Sequence, residues 1–255
     1  TFFNLAITVI ILPFAGPMAK LIQRLVPETA AAARFSTKYL DERVLSSPSL
    51  ALGQATREAL RMADIVQEMF KNSIEVFKKD DLELAERLEE RDDDVDLLDR
   101  EIKLYLTRLS PESMEETQSG RQILIISFIN DMENIGDIID NNLMELLRKK
   151  IAKGLSFSKD GLAEICELHQ NILENFDLAI STFAAGDDEL ARKLIRHKAG
   201  VREKERELKQ AHIQRLQMGL RESIDTSAIH LDVLSNLKRI NSHICDIAYT
   251  MLAGK

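Results

Sequence analysis

The stretch FKKDDLELAERL, residues 77–88, returns later in the chain as FAAGDDELARKL, residues 183–194. Phe77 aligns with Phe183, Asp81 with Asp187, Glu83 with Glu189, Leu84 with Leu190, Ala85 with Ala191 and Leu88 with Leu194, all at an offset of 106 residues. A second pair keeps almost the same step: NIGDIID, residues 134–140, lies against RINSHIC, residues 239–245, at an offset of 105. Two matches at nearly one offset mark a duplicated unit. Around them, Ala55, Ala59, Met62, Val66 and Met69 recur every three or four positions, the period of an amphipathic helix. Breaks fall at KKDDLEL, with Asp80 or Asp81 as N-cap, and at LSPESMEE, with Ser110 as N-cap and Pro111 at the first helical position. KGLSFSKDGL breaks the chain again at 153–162. Each half thus reads as three long helices, whose apolar stripes bury one another. The expected fold class is all-α: a tandem pair of antiparallel three-helix bundles, repeat 1 over residues 51–152 and repeat 2 over 153–255.

Bulk composition agrees. The 255 residues are 45% hydrophobic and 30% charged with only 10 Gly and 5 Pro, a balance that favours helix throughout. The net charge of -8 and the lack of a basic run exclude nucleic acid as an expected partner, because phosphate contacts need clustered Lys and Arg. Cys166 and Cys245 stand far apart, which argues against a disulfide framework or a zinc site and for a reducing compartment. No glycine-rich phosphate loop, His-Glu-x-x-His or nucleophile elbow is present, so no enzyme is expected.

The first 19 residues, TFFNLAITVIILPFAGPMA, carry no charge. That length can cross a bilayer core of roughly 30 Å, and the basic n-region of a signal peptide is missing. Pro13, Gly16 and Pro17 are tolerated better in a membrane helix than in a soluble one. Lys20, Arg24, Arg34 and Lys38 follow, so by the positive-inside rule everything after about residue 20 is expected in the cytoplasm. Residues 1–27 are therefore read as part of a terminal segment in the inner (plasma) membrane and 28–50 as a connector with the turn signal SSPS. The chain starts at Thr1, which suggests the tail of a longer protein.

Two acidic rows carry the candidate chemistry. Asp92, Asp96 and Asp99 share one helical face beside the apolar Val95, Leu98 and Ile102. Glu133, Asp137 and Asp140 lie one residue round from the stripe Ile129, Met132, Gly136, Ile139 and Leu143. Both rows border the seam where the two helices should meet. Like charges four residues apart cost stability unless something neutralises them. Hard oxygen donors from two helices suit Mg, Ca or Mn, and carboxylates across a bundle also hold iron. A solvated edge, or pairing with nearby Lys and Arg, is the other reading. Repeat 2 reverses the sign: Asp92 corresponds to Lys198, Asp96 to Arg202, Glu133 to Lys238 and Asp137 to Ser242. A cation site cannot be built from that set. Lys198, Arg202, Glu205, Lys209 and His212 form one row, and Asp232, Asn236, Arg239 and His243 a second, with His230 one turn before it. These rows read either as a structural charge network or as an anion site built on Lys198, Arg202, His212, Arg239 and His243. His230 near Asp232 could add pH sensitivity.

At this point the chain resembles a known family. The double three-helix repeat with DDDVD (92–96) and ENIGD (133–137) is similar to the PhoU-like fold and its acidic E/D-x-x-x-D motifs. HKAGVREKERELKQAHIQRL (197–216) and SAIHLDVLSNLKRINSHICDIAY (227–249) resemble the C-terminal domain of bacterial type II-related Na+/phosphate cotransporters, and the N-terminal segment resembles their last membrane helix. The resemblance implies a cytoplasmic regulatory domain that senses or gates sodium-dependent phosphate uptake, with the transporter's own membrane domain, phosphate and sodium as partners. A stand-alone PhoU-like metal- or anion-binding signalling adaptor of phosphate homeostasis is the alternative. The resemblance also implies a divalent or iron-type metal in repeat 1, held by Asp92, Asp96, Glu133 and Asp137. Self-association into a homo-oligomer is left open.

Overall fold

The computed structural model describes residues 35–109 and 114–253. Helix α1 (Pro48–Lys79) opens on a proline, whose fixed φ suits the first helical turn. It ends at Asp80, in the left-handed region at φ 54° and ψ 41°. Asp81 then caps α2 (Leu82–Thr107) by accepting from the Leu84 N–H at 2.9 Å. The same corner recurs 106 residues on. Gly186, at φ 66° and ψ 28°, closes α5 (Lys159–Ala185), and Asp187 caps α6 (Asp188–Gln217) by accepting from Glu189 at 2.7 Å. Of the two expected caps, Asp81 is the one used, and Asp80 is the left-handed stop before it.

The third helix of repeat 1 departs from expectation. Ser110 and Pro111 lie outside the described residues, and α3 (Glu116–Asp137) starts at a capping box between Glu115 and Gln118. Directly after Asp137 the coil widens into a π segment, Ile138–Met144, before α4 (Glu145–Ala152) resumes. Repeat 2 ends with a short α7 (Arg221–Asp225) and an unbroken α8 (Ser227–Ala253). A single 3-10 turn, Glu42–Val44, precedes α1, and no strand occurs among the described residues.

Every apolar position read from periodicity is buried. Ala55, Ala59, Met62, Val66, Val95, Leu98, Ile102, Ile129 and Ile139 are all 0% exposed. Helix α1 buries more than one stripe, because it packs against α5 of the other repeat as well as against α2 and α3. Helix α8 likewise packs on α5, α6 and α3. Phe128 stacks on Phe183 across this junction at 3.9 Å between ring centroids, and Phe70 stacks on His169 at 4.2 Å. His169 Nε2 lies 2.8 Å from the Phe70 carbonyl and donates to it. Burial pulls this imidazole down to about 4, so it is neutral and one nitrogen carries the donated hydrogen. The bundles are thus joined by aromatic packing, and Thr37–Lys255 clusters as one compact unit.

The expected membrane segment, residues 1–27, lies outside the described residues. Among those described, no helix is long and apolar enough to cross a membrane. The expected inner-membrane localisation and the expected partnership with a transporter membrane domain in the same chain therefore have no support among the described residues, and both are withdrawn. The connector is tied down in its described part: the fully buried Glu58 carboxylate accepts from the backbone N–H of Lys38 at 2.9 Å and Tyr39 at 2.7 Å.

Candidate metal seam in repeat 1

The seam between α2 and the end of α3 is shaped by Gly136. A Cβ there would run into the Asp92 carboxylate, so only glycine lets that side chain lie against the α3 backbone. In repeat 2 the equivalent position is Asn241, buried and accepting from Asn175 Nδ2 at 2.9 Å. The second repeat has filled with an amide the space that the first leaves for a carboxylate.

Asp92, Asp96, Glu133, Asp137 and Asp140 form no ion pair among the described residues, whereas their neighbours Asp99, Asp94 and Glu89 do. Lys103 bonds Asp99 at 2.7 Å, Arg91 bonds Asp94 at 2.6 Å, and Arg148 pairs with Glu89. Burial, then Asp140, Asp96, Asp137 and Asp93 in that order, push the Asp92 carboxyl up to about 7. Burial and Asp137 raise Asp96, and burial followed by Asp137 and Asp99 raises Glu133. Burial followed by Glu89 raises Asp140, against the pull of Arg148. The four residues expected to hold metal are therefore brought together, and they repel one another. Their donors are all oxygen, which fits a hard cation, and Gly136 leaves the space in which the Asp92 carboxylate lies.

The field extends further than the motif. Glu86, Glu89, Glu90, Asp93, Asp140 and Glu145 line an open trough of about 740 Å³ with one cation, Arg148. The π segment forms its far wall, a distortion that helices often carry at functional sites. The run LEERDDDVD, residues 88–96, signalled this density of charge, but its extension to Glu145 depends on the packing of α4. The seam acids do not converge on a single ion. Among the described residues, only Asp131, His243 and Asp246 bring three potential donor atoms within 4.8 Å of one another.

The expected anion residues do not share one groove. Lys198 and Arg202 line one groove of about 570 Å³ with Arg206 and Lys238. His212 is buried elsewhere, 2.9 Å from Ser227 Oγ and stacked on His230 at 4.5 Å. Arg239 bonds Asn236 at 3.0 Å, and His243 faces Asp131 at 3.2 Å. Much of the row is a charge network: Lys209 bonds the buried Glu205 at 2.5 Å, and Lys198 bonds Asp246 at 3.0 Å. His230 turns from Asp232 towards Glu164, 3.8 Å away, because its ring is packed inside the bundle end against Phe157.

Two tandem three-helix bundles, with a carboxylate seam in the first that has no ion pair among the described residues, define an all-helical scaffold. The sequence profile described as PhoU domain matches twice, at residues 59–146 and 165–251, and the chain belongs to the PhoU family. It is 35% identical over 252 residues to the Escherichia coli K12 protein named "Putative inorganic phosphate export protein YjbB". That match covers 98% of this chain and 46% of the relative, so the chain spans about half the length of that curated relative. It is 25% identical to the Thermotoga maritima phosphate-specific transport system accessory protein PhoU homolog 1, over 76% of this chain and 84% of that one. The fold matches PhoU from Streptococcus pneumoniae, a phosphate transport system regulatory protein, with a TM-score of 0.70 at 17% identity over 82% of this chain and 96% of that one. PhoU from Pseudomonas aeruginosa gives 0.70 at 19% identity, over 80% and 96%. The expected cotransporter resemblance is narrowed accordingly: the PhoU part is shown, and sodium coupling and uptake are not.

Proposed function

We propose that this chain is a regulatory, non-catalytic module of phosphate homeostasis whose repeat 1 seam takes up divalent or iron-type cations. One observation carries the reading: five carboxylates gather on one seam with no ion pair among the described residues, beside a trough whose Glu86, Glu90 and Asp93 are likewise unpaired there. A cation there relieves the repulsion that lifts Asp92, and it ties α2 to the π segment. Asp92, Asp96, Glu133 and Asp137 are the proposed ligands, with Asp140 beside them. Because the oxygens do not meet at one point, uptake needs side-chain rotation or more than one ion. The phosphate context comes from the names of the relatives. The test is metal content by elemental analysis and Mn2+ titration by calorimetry, for wild type and for Asp92→Asn/Asp137→Asn. Binding weakened at least tenfold in the double variant supports the seam. Equal binding in both removes it.

A second reading is favoured by the repeat 2 groove, where Arg202, Arg206 and Lys238 stand together. Paired cations of this kind suit a phosphate anion. Glu203 and Glu205 also line the groove: Lys198 is bonded to Asp246 and is withdrawn from the set, Arg206 bonds Glu203 at 3.1 Å and Lys238 lies 3.8 Å from Glu205, while Arg202 forms no ion pair among the described residues. If inorganic phosphate binds Arg202→Ala/Lys238→Ala as tightly as wild type, the groove is only a charge network.

A further inference from the structure

We propose a second, separate cation site in the junction between the repeats, formed by Asp131 of α3 with His243 and Asp246 of α8. It lies apart from the repeat 1 seam and uses none of its residues. The three donor atoms come within 4.8 Å of one another. His243 Nδ1 is 3.2 Å from Asp131 Oδ1. Asp131 is nine-tenths buried, at 9% exposure, so its carboxylate is already largely stripped of water. Two carboxylates and one imidazole from two helices form a mixed oxygen and nitrogen donor set of the kind that takes Zn2+, Mn2+ or Fe2+, with water filling the remaining positions.

A cation already occupies the edge of this place. Lys198 Nζ, from α6, sits 3.0 Å from Asp246 Oδ1 and 3.5 Å from the Ser242 carbonyl. Two carboxylates, Asp131 and Asp246, here face one ammonium. A divalent ion held by both and by His243 displaces the ammonium from Asp246. The displaced group has somewhere to rest, since Lys198 Nζ also lies 4.8 Å from the centre of the Tyr249 ring. Lys198 is thus a resident competitor for the metal. In sequence this residue is the counterpart of Asp92, so the repeats handle cations differently: the first must recruit one, and the second carries one covalently and exchanges it at the junction.

The test uses a chain with the seam silenced by Asp96→Asn/Asp137→Asn, in phosphate-free buffer. Its failure is then distinguishable from failure of the seam. Zn2+ and Co2+ are the probes, read by calorimetry, by the visible bands of Co2+ and by the imidazole nitrogen NMR signal of His243. One equivalent is expected to bind and shift the His243 signal. Asp246→Asn, at a half-exposed position that leaves folding intact by circular dichroism, is expected to weaken binding at least tenfold. Lys198→Met is expected to tighten it several-fold. The proposal is overturned if saturating Zn2+ leaves the His243 signal unmoved. It is equally overturned if Asp246→Asn binds like its parent, or if Lys198→Met binds no tighter.

Discussion

At the residue scale, Asp92 and Gly136 explain each other. The glycine admits a carboxylate to a half-buried place, and burial with neighbouring charge then opposes its ionisation. The folded carboxyl titrates at about 7, against roughly 3.9 in an unfolded chain. A raised acid pKa means that the folded state holds its proton longer. The stability Asp92 allows is therefore fully present below about pH 4 and is lost as pH rises through about 7. In metal-free protein, Asp92→Asn is expected to add about 1 kcal/mol at pH 8, discounted for solvent screening, and almost nothing at pH 4. Urea midpoints at the two pH values check this, and a gain of equal size at both contradicts the titration. Gly136→Ala is expected to cost about 1–3 kcal/mol by overpacking and to reduce metal uptake as well. A thermal melt paired with the Mn2+ titration reads both effects.

His169 works with the opposite sign. Its imidazole is lowered to about 4 by burial, against roughly 6.5 when unfolded. A lowered basic pKa means that the unfolded chain takes up the proton first. Its stabilising contribution is present above about pH 6.5 and is lost as pH falls through about 4. His230, lowered to about 3 by burial and by His212 and Arg215, acts in the same direction. His169→Gln should flatten the loss of stability between pH 6.5 and 4.5. An unchanged slope assigns acid sensitivity to other groups.

At the element scale, the corners between helices are the most faithful copies in the molecule. Asp80 and Gly186 hold the same left-handed stop, and Asp81 and Asp187 the same cap. Gly186→Ala is expected to cost about 1 kcal/mol, because a Cβ is strained at positive φ. Asp80→Gly should gain nothing comparable, although it relieves the same strain. It removes the partner of Lys150, whose side chain is only 4% exposed. Chemical denaturation of the two variants separates these outcomes, and a net gain in Asp80→Gly would show Lys150 content without its carboxylate. The third helices are the least alike. A π segment follows Asp137 in the first, while α8 runs unbroken through the matching register in the second.

At the scale of the whole molecule, the two bundles are held by α1, α3, α5 and α8 rather than by a linker. Phe128 on Phe183 and Phe70 on His169 sit at that junction. Phe128→Ala is expected to cost about 3–5 kcal/mol, because the cavity opens between repeats and both lose packing. With one shared core, wild type should unfold in a single transition by calorimetry. A resolved second transition in the variant would mark the junction as the weakest link.

Much of this organisation was legible in the chain. The 106-residue offset, the stripes at Val95, Leu98, Ile102 and Ile129, and the spacing of Asp92 with Asp96 on one helix and of Glu133 with Asp137 on another are local properties. Helical periodicity alone places such residues on one face. The change of sign at Lys198, Arg202 and Lys238 was equally local, and it foretold that the repeats would differ. Tertiary structure decided everything that depends on distance across helices. It set His212 of one row, and Arg239 and His243 of the other, against different neighbours: His230, Asn236 and Asp131. It brought Asp131 to His243 and Asp246 from 112 residues away, a meeting that no periodicity encodes. It gave Gly136 its purpose by setting Asp92 against it. A sequence sets the spacing of side chains along each helix, and only the packing of one helix on another sets which of them share charge, space and a proton.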